Sequence, residues 1–180
     1  MAIDRGYQSL ADKSESYEIC FVPDNDYRGF LKRKVSGLES RVKGGRFVTL
    51  SGNTVGKHDG YPFYTIGQRK LGVSLGSEPS YVVGINPEEN TVIVGTKEDL
   101  EKQEMFIKDV NYLKYPMIDD GMEVLVKVRY KHKGEMATIT NEGDRLKVLF
   151  HKKVSGIAPG QSAVIYEGED LVAGGFIMKK

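Results

Sequence analysis

The 180 residues carry 26 Lys and Arg against 25 Asp and Glu, a formal net charge of +1, with 39% hydrophobic residues. That content can bury one sizeable core or two small ones, and the near-neutral balance excludes whole-chain attraction to a polyanion or an anionic membrane, so any such affinity must be local. No apolar run approaches the ~20 residues of a membrane span, the first 16 residues lack a signal peptide's basic start and apolar stretch, and one cysteine excludes an internal disulfide framework.

These features predict a cytoplasmic protein with no membrane partner. Twenty-one glycines, ten tyrosines and no tryptophan point to many turns joined by short strands.

Residues 17–22 (YEICFV) alternate and predict a short strand that stops at Pro23. Asn25 or Asp26 can then cap a helix, because Tyr27, Phe30, Leu31 and Val35 follow at helical spacing. Cys20 would sit where the strand leaves for the helix. Between Arg28 and Arg46 there are seven positive charges against the single Glu39.

Two hairpin signals follow. One runs from residues 47–50 through Ser51-Gly52-Asn53 into Val55, the other from residues 81–85 through Asn86-Pro87 into residues 92–94. Between them lies YTIGQRK, residues 64–70. The polar stretch 96–104 (TKEDLEKQE) carries no core pattern and reads as a domain boundary.

Six strands are expected beyond it, at residues 106–113, 123–131, 135–140, 145–150, 162–166 and 171–178, punctuated by glycine-bearing turns. Their number and spacing suggest a small closed barrel or sandwich. The fold class expected is mainly β with a small α component: a small α+β central domain, then a six-stranded antiparallel β-barrel.

Three patterns that resemble catalytic motifs are better read otherwise. Gly72-Val73-Ser74-Leu75-Gly76 matches G-x-S-x-G, but no helix signal follows, as a nucleophile elbow requires. The stretch 52–57 is one residue short of a phosphate loop, and His58 stands where the magnesium-binding hydroxyl should be, so it reads as a hairpin. His58, His132 and His151 are far apart, without a Cys or carboxylate at ligand spacing, so no metal site is expected.

Within residues 127–133 (KVRYKHK), alternation would place Lys127, Arg129, Lys131 and Lys133 on one strand face beside an aromatic. That is either a phosphate-tracking surface or an ordinary solvated barrel face. Arg69 and Lys70, with the basic helix at residues 32–34, are further cationic candidates. Cys20, small and set in an apolar strand, fits a buried structural thiol on its own terms.

YEICFVPDNDYRGFLKRK, then GQRK, an aromatic-flanked YVV strand, VRY and APGQSAVIY resemble, in this order and at compatible spacing, the tRNA-specific 2-thiouridylases. The resemblance runs from about Tyr17 to Phe176. It implies that Cys20 is a persulfide carrier whose terminal sulfur replaces the 2-oxygen of the wobble uridine once ATP has adenylated that oxygen. The carbonyl oxygen leaves poorly until it is made a phosphate ester, and a persulfide, more acidic than a thiol, attacks at neutral pH.

It also implies that Arg129 and Tyr130 match a tRNA-contacting pair and Gln161 another contact. The partners implied are tRNA and a sulfur-donating protein. A second thiol must release the sulfur, yet the sequence holds one cysteine.

The family's adenylation domain, with its SGG-x-D-S loop, lies upstream of the ICF block. The expectation is therefore that ATP and magnesium are handled by that absent N-terminal domain, with no cofactor in this chain and no thiolation by it alone. The GQRKLG loop is one glycine shorter than the family's. The implied organisation is a catalytic-domain remnant at 1–22, a central tRNA-docking domain at 23–97 and a C-terminal β-barrel at 103–180. The rival reading is a stand-alone RNA-binding or protein-interaction barrel in which Cys20 is structural.

Overall fold

The computed structural model describes Val22, residues 24–76 and residues 78–179. Cys20, the expected strand at residues 17–22 apart from Val22, and with them the expected remnant of a catalytic domain, lie outside the described residues. The chain divides into two compact units, Met1–Arg41 and Val42–Lys180. No helix among the described residues is long and apolar enough to cross a membrane.

In the first unit, α1 (Tyr27–Lys34) starts where the sequence allows it to. The Asp26 side chain accepts from the Gly29 amide at 2.9 Å, satisfying one of the helix's orphan donors. Gly29 is what makes the cap fit, since a Cβ there would lie 2.0 Å from Asp26 Oδ2. Lys32, Arg33 and Lys34 fill the last turn, where the helix dipole favours cations. The helix buries none of its side chains, so the expected apolar stripe is only half covered. A five-residue helix, α2 (Leu38–Val42), follows.

Both predicted hairpins form: β1 (Gly45–Thr49) with β2 (Thr54–His58), and β3 (Tyr81–Asn86) with β4 (Thr91–Gly95). A parallel pairing of β1 with β4, Phe47 opposite Val92 and Val48 opposite Ile93, joins them into one sheet of order β2-β1-β4-β3. Phe47, Val82, Val92 and Val94 are buried on it, and Tyr64, Ile66, Leu71 and Val73 from the long connection pack over them. Each such fully buried side chain contributes about 1.5–3 kcal/mol.

Residues Glu101–Tyr112, Glu123–Lys127, Glu135–Glu142, Arg145–Ser155, Ser162–Glu167 and Asp170–Ile177 form β5 to β10. They close into a six-stranded antiparallel barrel of order β10-β5-β8-β7-β6-β9. Period-two alternation fills it: Val124 and Val126 of β6, Ile139 of β7, and Leu146, Val148 and Phe150 of β8 all face the core.

Three strand limits differ from expectation by more than two residues. β5 begins at Glu101 rather than 106, because the polar stretch pairs with the far end of β8 (Glu101 opposite Ser155) while Leu100 tucks inward. β8 correspondingly runs on to Ser155.

β6 ends at Lys127 instead of 131. Residues 129–132 form a turn closed by the His132 amide on the Arg129 carbonyl at 3.0 Å. Gly134, at φ 101°, then presses against Leu125, leaving no room for a Cβ. The four cations expected on one strand face are therefore not aligned on a strand. Arg129, Tyr130 and Lys131 lie on a turn instead.

Candidate nucleic-acid interface

The second unit contains an open cleft of about 330 Å³ at the meeting of sheet and barrel. The sheet side supplies Gly67 and Tyr81, the link between the two supplies Lys97, and the barrel supplies Arg129, Gly156 and Gln161. Gly67 belongs to the GQRK loop. That loop lies along β3 through the Gly67 amide on the Val82 carbonyl at 2.8 Å and the Val82 amide on the Gln68 carbonyl at 3.0 Å. Gly67 takes φ 85°, a conformation that favours glycine.

Arg129 leaves the end of β6 on the new turn and donates from its guanidinium to the Ser155 carbonyl at 3.1 Å. Its approach explains Gly156, at φ 76°, where a Cβ would sit 2.0 Å from the guanidinium. Gln161 follows the Pro159-Gly160 turn. Its backbone is pinned to β10 by the Ile177 amide at 2.8 Å, while its side chain stays exposed. Tyr130 is 82% exposed beside Arg129.

His132 stands behind this turn, its Nδ1 accepting from the Val128 amide at 3.4 Å. Burial, reinforced by the charge of Arg129, holds its pKa below the usual histidine value, so the neutral imidazole is favoured there.

Arg69 places its guanidinium 5.6 Å from the centroid of the Tyr81 ring. Arg69 and Lys70 both line a smaller neighbouring hollow of about 230 Å³. Arg129 and Gln161 thus share one cleft, Tyr130 adjoins it, and Arg69 reaches it through Tyr81. Among the other cations, Lys127 lies 5.0 Å over the Tyr166 ring. On the first unit, Lys32 pairs with Glu39 at 2.7 Å and Arg33 with Asp24 at 3.0 Å.

Two lining residues escaped the sequence reading as site candidates. Lys97 stands in the polar stretch 96–104, and Tyr81 opens the YVV strand. No local pattern marks either one, because what recruits them is the approach of the link to the barrel.

The cleft offers two cations, a phenol, a primary amide and exposed backbone, and no acidic or imidazole side chain lines it. Such a surface can hold a phosphate and can stack on or hydrogen-bond to a base. The glycine-bearing stretch at 52–57 is the turn and second strand of the first hairpin, with no helix start behind it, so it is not a triphosphate cradle. No group of His, Cys, Asp and Glu among the described residues could hold a metal ion.

A family model described as the tRNA methyl transferase PRC-barrel domain matches residues 29–96, and one described as the aminomethyltransferase β-barrel domain matches residues 102–177. Over 179 residues the chain is 51% identical to the tRNA-specific 2-thiouridylase MnmA of Amoebophilus asiaticus, covering 98% of this chain and 47% of that protein. It is 52% identical over 179 residues to the enzyme of the same name from Cytophaga hutchinsonii (98% and 48%). To that of Salinibacter ruber it is 49% identical over 180 residues (98% and 46%). The chain spans about half the length of these curated relatives. With the two models adjoining along most of its length and half its residues shared with such relatives, the chain belongs to the tRNA-specific 2-thiouridylase family, of which it carries the central and β-barrel portions.

Proposed function

We propose that this chain is the tRNA-docking part of a cytoplasmic tRNA-uridine 2-sulfurtransferase, with Cys20 as its persulfide carrier. Residues 23–97 and 103–180 act as two docking modules, and Arg129, Tyr130 and Gln161, with Arg69 and Lys70, contact the RNA. The observation that carries this reading is the gathering of Arg129, Gln161, Lys97 and Tyr81 around one open, carboxylate-free cleft in a chain whose relatives are named for action on tRNA.

The chemistry balances as follows. A sulfur-donating protein loads Cys20 with one sulfur. The terminal sulfur attacks C2 of the wobble uridine, whose oxygen carries AMP from ATP; the C–S bond forms, the C–O bond breaks and AMP leaves. A second thiol then attacks Cys20 Sγ, the S–S bond breaks, a disulfide forms and the 2-thio base departs. The second thiol is not among these 180 residues, which hold one cysteine. No adenylation step is assigned to the described residues, which offer no phosphate-cradling loop.

The test has two arms. Incubation with a cysteine desulfurase and free L-cysteine, whose sulfur the desulfurase passes on as a persulfide, should add one sulfur to Cys20 by mass spectrometry; no adduct under conditions that load a longer relative would return Cys20 to a structural role. Binding to a tRNA anticodon arm should weaken as salt rises. Salt-independent or absent binding would leave a protein-interaction barrel as the better reading.

A further inference from the structure

Burial sorts the lining of the cleft into two kinds of surface. Leu100 and Ala158 are buried and Ile66 and Tyr81 half-buried, while Lys97, Arg129 and Gln161 are exposed. The short 3-10 turn Glu98–Leu100 carries Leu100 to the cleft just before β5 begins. The Arg129 guanidinium is fixed there by its bond to the Ser155 carbonyl at 3.1 Å. Neither Lys97 nor Arg129 has an ion-pair partner among the described residues. The cleft therefore combines an apolar floor with cations that lack a counter-charge.

A bare phosphate would use the cations and leave the floor idle, and an apolar ligand would do the reverse. A nucleotide uses both, because its base has apolar faces and its phosphate is an anion. The volume, about 330 Å³, stands at the lower end of the range for small-ligand pockets, which suits one such unit rather than a paired stem. A base inside a duplex has its faces covered by its neighbours, so the base that reaches this floor must be unstacked. We propose that the cleft takes one unstacked nucleotide from a single-stranded stretch of RNA. Its base lies against Leu100, Ile66 and Tyr81, its phosphate is held by Lys97 and Arg129, and the Gln161 amide, both donor and acceptor, meets its edge. The assignment rests on the RNA-docking reading and adds to it which part of the RNA is gripped, a loop rather than a stem.

The experiment measures binding of the 180-residue chain to an anticodon-arm hairpin and to a fully paired RNA of the same length, by fluorescence anisotropy at fixed ionic strength. The hairpin should bind about tenfold more tightly. Hairpins with one abasic nucleotide at each loop position in turn should include one that loses about tenfold, the size of one base stacked on an aromatic side chain. That loss should vanish in Tyr81→Leu. Gln161→Ala, at an exposed position, should shrink the same loss by about fivefold, the size of one net hydrogen bond, and stands in for Tyr81→Leu if the latter lowers the thermal midpoint. Lys97→Ala should flatten the salt slope by about one phosphate contact at an unchanged thermal midpoint, and Lys97→Arg should restore it.

Uridine 5′-monophosphate at matched ionic strength should not displace the hairpin. If it displaces the hairpin from the unmodified chain but not from Lys97→Ala, the cleft is a site for a free nucleotide and the proposal fails. Equal affinity for hairpin and duplex, or an abasic loss that is the same in the unmodified, Tyr81→Leu and Gln161→Ala chains, overturns the cleft's assignment and leaves salt-dependent RNA docking intact. No RNA binding by the unmodified chain removes both.

Discussion

The Arg69 guanidinium lies 5.6 Å from the centroid of the Tyr81 ring, and this contact ties two recesses together. Tyr81 lines the cleft that holds Arg129 and Gln161, while Arg69 lines the hollow that holds Ser80. A base stacked on the phenol and a phosphate on the guanidinium would be read by one rigid unit. Replacing Tyr81 with Leu keeps apolar volume but removes the π face, and should weaken binding of an anticodon-arm RNA by about 1–2 kcal/mol with little change in salt slope. Arg69→Ala should instead flatten the slope by about one phosphate contact. Titrations between 50 and 200 mM salt separate the two effects. A Tyr81→Leu protein that binds as before would remove stacking from the account.

Arg129 and Gly156 form a second pair with a measurable signature. Gly156→Ala should destabilise the chain by about 1 kcal/mol through its φ of 76°, and should also push the guanidinium off the Ser155 carbonyl and weaken RNA binding. In the Arg129→Ala background the clash is gone. The same glycine substitution should then cost less stability, a non-additivity that a double-mutant cycle in urea detects. Additive effects would mean that the two residues do not constrain each other.

His58 makes the stability of the central sheet depend on pH. It is buried, edge-on to Phe47 at 5.0 Å, and its Nδ1 accepts from the Gly60 amide at 3.0 Å. Burial lowers its pKa below 6.5 in the folded state, so the unfolded chain binds the proton more readily. Its contribution is therefore fully present above pH 6.5 and is lost as the pH falls through that value toward the lower folded pKa. Urea midpoints measured from pH 8 to pH 5 should drop more steeply for the unmodified chain than for His58→Phe. Parallel curves would show that this imidazole is not the titrating group; taking the difference removes His132, whose pKa is lowered in the same direction.

Phe150 is fully buried in the barrel. Phe150→Ala should cost about 3–5 kcal/mol by leaving a cavity in a closed structure with little freedom to collapse. Urea denaturation monitored by far-ultraviolet circular dichroism would measure it. A loss below about 1 kcal/mol would mean that the barrel repacks around the void.

Much of the secondary structure was legible because it depends on near neighbours. Asp26 caps α1 three residues before Gly29, and the Ser51-Gly52-Asn53 turn brings β1 back on β2. The barrel strands announce themselves by alternation, as in Val124 and Val126 or Leu146, Val148 and Phe150. The end of β6 was not legible. KVRYKHK keeps a strand-like alternation, and what breaks it is a long-range constraint: the packing of Gly134 on Leu125 and the docking of Arg129 on Ser155. Lys97 was hidden for a related reason, since a polar stretch looks like a linker until β5 pairs with the end of β8.

The order of residues alone was enough to establish the family through blocks spread from Tyr17 to Phe176, the hairpins, the barrel strands and a list of cations that could meet RNA. Local periodicity and turn chemistry act over a few residues, so they survive in a one-dimensional reading. Which of those cations share a surface was set by the folded chain. Arg129, Gln161, Lys97 and Tyr81 are brought together by barrel closure and by the β5–β8 pairing, and the unpartnered Ser80 hydroxyl exists only once the connection folds over the sheet. Contacts between residues tens of positions apart depend on how whole elements pack, and no short stretch of sequence encodes that.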